Sequence, residues 1–197
     1  MRSIFDFLEA VQKRPSMYVS PERALEELEQ IVNGYLACQG VHGINEPGPK
    51  MGSPFSAWLR IRDRSWSLSS GWALAVAMYA PAEVEPLEFF FELVSEYRQL
   101  EPTVALEVDL AERNHPTGRR YLVGFEGRME RPKRVQVIRY APAPLHVLRF
   151  IGGERAWEMV LQGPNAAPST TLEDAMSWLK DEFNLRPDDI RFGEEAG

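Results

Sequence analysis

Apolar residues recur at intervals of three and four as far as about Pro102, and from there the spacing shortens to two. The change of period predicts helices followed by strands. Ser3 stands three residues before Asp6, a capping pair, and Ile4, Leu8 and Val11 share one face until Pro15 stops the first helix. Ser20-Pro21 opens a second, because proline in the first turn loses no hydrogen bond. Leu25, Leu28, Ile31, Val32, Tyr35 and Leu36 give it a continuous apolar stripe, and Gly40 is its expected terminator. Gly43, Pro47, Gly48, Pro49 and Gly52 then predict an exposed loop. Ser53-Pro54 repeats the cap-and-proline signal for a short helix with Phe55, Trp58 and Leu59 inward. A fourth helix starts near Ser70, carries Trp72, Ala75, Val76 and Tyr79, and ends at Pro81. A fifth follows Pro86 with Leu87, Phe90, Phe91, Val94 and Tyr97 facing the core.

Beyond Pro102, Val104, Leu106, Val108 and Leu110 alternate with Ala105, Glu107 and Asp109, the pattern of a strand with one buried and one wet face. His115-Pro116-Thr117-Gly118 predicts a turn, and Arg120 to Phe125, Arg134 to Tyr140, Leu145 to Ile151 and Trp157 to Gln162 are further strand candidates. A helix from about Leu172 to Phe183 follows, capped by Thr170 or Thr171, with Leu172, Met176 and Leu179 on one side. The fold class predicted is α+β: a small all-helical unit over residues 1–102, then an antiparallel sheet of about five strands with one packed helix over residues 103–197.

Composition narrows the function classes. The net charge is −7 and lysine and arginine form no extended stripe, so nucleic acid is not an expected partner. The longest apolar run, Trp72 to Pro81, is too short to span a bilayer, and no membrane partner is expected. One cysteine, Cys38, excludes an internal disulfide and a cysteine-cage metal site. Its environment on the second helix is expected to be that of a small buried residue. With an N-terminus unlike a secretory signal, a cytoplasmic location follows as an expectation. His42, His115 and His146 lie apart, without the spacing that sets metal ligands on one helix face, so neither metal nor cofactor is expected. No Walker loop or nucleophile elbow is present, and no catalytic residue is assigned.

Two resemblances are carried by short motifs. The segment from Leu8 to Tyr18, with Glu29 and Asn33 four residues apart downstream, resembles the start of the gyrase B and GHKL ATPase family. That resemblance implies ATP binding, with Glu29 catalytic and Asn33 holding magnesium. Ser16 replaces the family's glycine, and the family's Asp-x-Gly-x-Gly element and glycine-rich lid have no counterpart downstream. Lys13-Arg14-Pro15-Ser16-Met17-Tyr18, Gly34-Tyr35, Ser70-Gly71-Trp72 and Phe89-Phe90-Phe91-Glu92-Leu93 together resemble a family of small bacterial immunity or antitoxin-type proteins. This second resemblance covers residues 4 to 98. It implies a protein partner and no catalytic residue.

The function expected on this basis is an immunity-type protein that neutralises a cognate toxin by stoichiometric occlusion. An ATP-binding GHKL-like fragment and a self-associating scaffold are the alternatives. Residues 1–103 hold fourteen acidic and nine basic side chains and residues 104–197 fifteen and thirteen, so a basic toxin domain is the expected partner. Glu22, Glu26, Glu29 and Glu27, or Asp188 and Asp189, are the candidate carboxylate contacts. Trp66, set between Arg64 and Ser67 in a polar stretch, is the favoured aromatic anchor, with Trp58 and Tyr18 as others.

Overall fold

The computed structural model describes residues 3–44, 46–63, 66–110, 132–153, 155–161 and 171–193. The candidate strand Arg120 to Phe125 and the turn at His115 to Gly118 lie outside them. Helix α1, Ile4–Lys13, begins as its sequence predicts. The Ser3 hydroxyl accepts the Asp6 N–H and the Asp6 carboxylate accepts the Ser3 N–H, both at 3.2 Å. Pro15–Met17 forms a single 3-10 turn, and Pro21–Arg23 a second one leading into α2, Ala24–His42. The expected stop at Gly40 is overrun, because an isolated glycine costs a helix only about 1 kcal/mol. The turn to positive φ comes instead at Gly43. Helix α3, Ser53–Arg62, is preceded by Gly52 at φ 87°, so Gly52 and not Ser53 occupies the cap position. Helices α4, Trp72–Tyr79, and α5, Pro86–Tyr97, complete this part.

Aromatic rings fill the core these helices share. Phe55 of α3 sits among Tyr97 at 5.1 Å, Trp58 and Trp72 at 5.9 Å, and Phe90 at 6.2 Å between ring centres. Trp72 and Phe90 stack at 4.8 Å, which locks α4 to α5. The loop before α3, expected to be exposed throughout, buries Met51. It is tied down where the Tyr97 hydroxyl donates to the Lys50 carbonyl at 2.5 Å.

The second half is α+β. Strands β1, Glu101–Asp109, β2, Arg134–Ala141, β3, Leu145–Gly152, β4, Arg155–Val160, and β5, Ile190–Phe192, form one antiparallel sheet in the order β4-β3-β2-β1-β5. Helix α6, Leu172–Phe183, is capped by the Thr171 hydroxyl, which accepts the Asp174 N–H. It buries Ala175, Leu179 and Phe183 against Leu106, Val108, Val135, Val137, Leu148 and Phe150 on one face of the sheet. Glu107, Gln136, Arg149 and Glu158 lie in register across β1 to β4, so by strand alternation they form a row on the other face. Gln136 donates to Glu107 at 2.6 Å and Arg149 pairs with Glu158 at 2.7 Å.

The simple alternation expected in β1 fails at one residue. Val104 pairs with Ile138 and Leu106 with Val137, so Ala105 is an extra residue in the ladder. The bulge moves Val104 off the face that carries Leu106 and Val108, and it is 37% exposed. The Gly193 N–H donates to the Ala105 carbonyl at 2.9 Å. A side chain there would lie 1.9 Å from the Val104 carbonyl oxygen, so only glycine fits against the bulge. Strand β3 is buried on both faces, with His146, Val147 and Leu148 buried in succession.

Contacts divide the chain into two compact units, residues 1–38 with 49–99, and residues 39–48 with 100–197. Gly193→Ala is predicted to loosen β5 from β1 and to lower stability by about 1–3 kcal/mol. Chemical denaturation would measure the loss, and amide exchange would place it at residues 190–193.

Candidate protein-binding surface

Helix α4 begins at a residue that offers no cap of its own. Gly71 precedes it at φ 96° and has no side chain, leaving the first N–H groups of the helix to be satisfied from elsewhere. The partner is Glu29, on α2. Its carboxylate accepts the Trp72 N–H at 2.8 Å and the Ala73 N–H at 3.5 Å. A β-carbon at position 71 would come within 2.5 Å of that carboxylate, so the glycine is required twice, for its backbone angle and for the space. Glu29, expected as a partner contact or a catalytic group, is thus committed to the end of α4. Asn33, one turn further along α2, is exposed to solvent.

The other expected contacts are distributed as follows. Glu26 pairs with Arg23 at 2.8 Å, and Glu22 is exposed. The Glu27 carboxylate accepts the Ser20 hydroxyl at 2.6 Å and the Ser20 N–H at 2.8 Å. These bonds, the hydroxyl's first, and the nearby Arg23 charge hold it below the usual carboxylate range. In the second unit Asp188 is exposed, while Asp189 accepts the Arg186 N–H at 2.7 Å and closes the turn Pro187–Asp189.

Trp66 is not a surface anchor. It is only 6% exposed, its ring stacked 5.0 Å above Tyr79 and tilted against Phe89. The Trp66 N–H donates to the Asp63 carbonyl and the Ser67 N–H to the Tyr79 hydroxyl. Trp58 is likewise buried, in the Phe55 cluster. Cys38, expected to be buried, is exposed, and His146 is buried within β3.

What the first unit does expose is the outer side of α4. The helix contains no charged residue. Trp72, Ala73, Ala75 and Val76 are buried, whereas Leu74 is 47% and Met78 67% exposed. A helix apolar all round is ordinarily covered all round, and here one side is open. Residues 65–97 contain five glutamates and no lysine or arginine. Glu96 is bonded to Arg62 at 2.9 Å. Glu83, Glu85, Glu88 and Glu92 are exposed on the α4–α5 hairpin and make no ion pair with any described residue. An apolar stripe and four carboxylates without an ion pair among the described residues therefore share one hairpin. Periodicity could not find this surface, because an outer face is recognised by charged residues and α4 has none.

Among the described residues no cluster of His, Cys, Asp and Glu is arranged to hold a metal ion, and no helix is long and apolar enough to cross a membrane. Compared with known protein families, with curated proteins and with solved structures, the chain matches none.

Glu29→Ala is predicted to cost about 0.5–2 kcal/mol, the usual range for a lost helix cap. Gly71→Ala is predicted to cost about 1–3 kcal/mol through strain at positive φ and collision with Glu29. The double variant should lose less than the sum, since deleting the carboxylate also removes the collision; strict additivity in denaturant titrations would contradict the cap. Glu27 gives a pH test. Its lowered folded pKa means that its contribution is complete above the unfolded carboxylate pKa and is lost as pH falls through the folded value. The stability gap between wild type and Glu27→Gln should accordingly be constant near neutrality and shrink in acid.

Proposed function

We propose that this protein is a stoichiometric binding protein of the immunity type, which occludes a basic toxin domain with the α4–α5 hairpin and makes or breaks no bond. The observation that carries the proposal is the charge-free outer side of α4, with Leu74 and Met78 exposed, on a hairpin whose Glu83, Glu85, Glu88 and Glu92 make no ion pair with any described residue. Covering each of these two side chains is worth about 1.5–3 kcal/mol, enough for the centre of an interface. The acidic border adds encounter rate and partner choice, since it repels acidic surfaces and attracts cationic ones. A cytoplasmic site of action accords with this reading.

The alternative of an ATP-binding fragment is less well supported, because Glu29 already accepts two backbone N–H groups and cannot activate water without uncapping α4. Saturating ATP with magnesium is predicted to leave the melting temperature unchanged; a rise would favour the enzyme.

The direct test is to search the adjacent genes for a secreted toxin and to purify its toxic domain. Mixed with it, the protein should form a 1:1 complex by light scattering and abolish toxin activity in proportion to its concentration. Leu74→Arg with Met78→Arg should weaken that complex by about 30-fold or more, the consequence of losing a 2 kcal/mol hot spot. Because both residues are exposed, the variant should keep its thermal stability. An unchanged affinity would overturn the assignment of the surface.

A further inference from the structure

We propose that the turn Lys13–Tyr18 is a second docking surface, and that its occupant is the α4–α5 hairpin of another copy of this chain. The proposal rests on the hairpin being a docking surface, as argued above. In α1 and the turn that follows, Lys13 and Arg14 are exposed and make no ion pair with any described residue, whereas Arg23, Arg62 and Arg98 of the same unit are paired with Glu26, Glu96 and Glu9. Beside these two cations Met17 is 66% and Tyr18 39% exposed. Nothing about the segment is slack. The N–H groups of Met17, Tyr18 and Val19 all donate back to the Arg14 and Pro15 carbonyls. The Tyr18 ring is braced edge-on against Phe7 at 5.6 Å, and Ser20 is held by Glu27. A rigid turn that projects apolar side chains has little entropy left to lose on binding.

The two surfaces are opposite in sign and alike in the rest of their chemistry. One offers Lys13 and Arg14 around Met17 and Tyr18; the other offers Glu83, Glu85, Glu88 and Glu92 around Leu74 and Met78. Neither set of charges is paired with a described residue of its own chain. Contact between copies would compensate both sets of charge and cover both apolar centres, and it would mask the hairpin until a tighter partner displaced it.

Sedimentation velocity over a range of concentrations, at low and at high salt, tests this. The average mass should rise with concentration at low salt and return to that of the monomer at high salt. Lys13→Glu with Arg14→Glu, and separately Glu83→Lys with Glu85→Lys, should each weaken association by about tenfold or more through like-charge contact. Mixed together, the two reversed variants should associate again, a result that misfolding of either one cannot produce. A wild type that stays monomeric, or a mixture that fails to associate, would overturn the proposal. The first pair of substitutions should leave the toxin complex intact, while Leu74→Arg with Met78→Arg should weaken both contacts, so failure of self-association is distinguishable from failure of the proposed function.

Discussion

Glu29 reaches from the middle of α2 to the start of α4, where its carboxylate accepts N–H groups that no residue of α4 satisfies locally. The arrangement exists only because Gly71 has no β-carbon to occupy the same space. With its first turn pinned in this way, α4 lies with Trp72 stacked on Phe90 and edge-on to Phe55. That orientation buries Trp72, Ala73, Ala75 and Val76 and leaves Leu74 and Met78 outward. The exposure of the apolar stripe is thus a consequence of one charge-assisted cap and one aromatic stack, and the binding proposal depends on both.

The second unit solves a different problem. Its sheet needs a fifth strand, and β5 has only three residues with which to hold the edge of β1. The extra residue at Ala105 and the missing side chain at Gly193 let the two backbones meet there. On the face away from α6, Gln136 donates to Glu107, and Arg149 pairs with Glu158 across strands. On the α4–α5 hairpin, by contrast, Glu83, Glu85, Glu88 and Glu92 make no ion pair with any described residue, and this is the reason the binding proposal rests on the first unit.

Local signals in the sequence were reliable where the chemistry itself is local. The Ser3 and Thr171 caps, the prolines at 21, 54 and 86, and the breaks that bound β2 and β3 all act within a few residues, and each marks its element correctly. The features that were not legible depend on distant partners. Glu29 and Trp72 are 43 positions apart, so nothing near Glu29 signals that it is a cap. Trp66 has polar neighbours in sequence but Tyr79 and Phe89 in space. Three residues are too few to show a period, which hid β5, and a single inserted residue at Ala105 reversed the side expected for Val104. Gly40 looked like a helix end because the cost of glycine is known from sequence, whereas the packing that repays it is not.

Methionine provides the most direct probe of the central claim that the outer side of α4 is where the partner sits. The chain has seven methionines, among them Met78 on the exposed stripe, Met17 on the turn after α1 and Met51 in the core. In a methyl-labelled sample titrated with the cognate toxin, the Met78 resonance should shift and saturate at one equivalent while that of buried Met51 stays in place. A saturated complex in which the Met78 methyl is unperturbed would contradict the account.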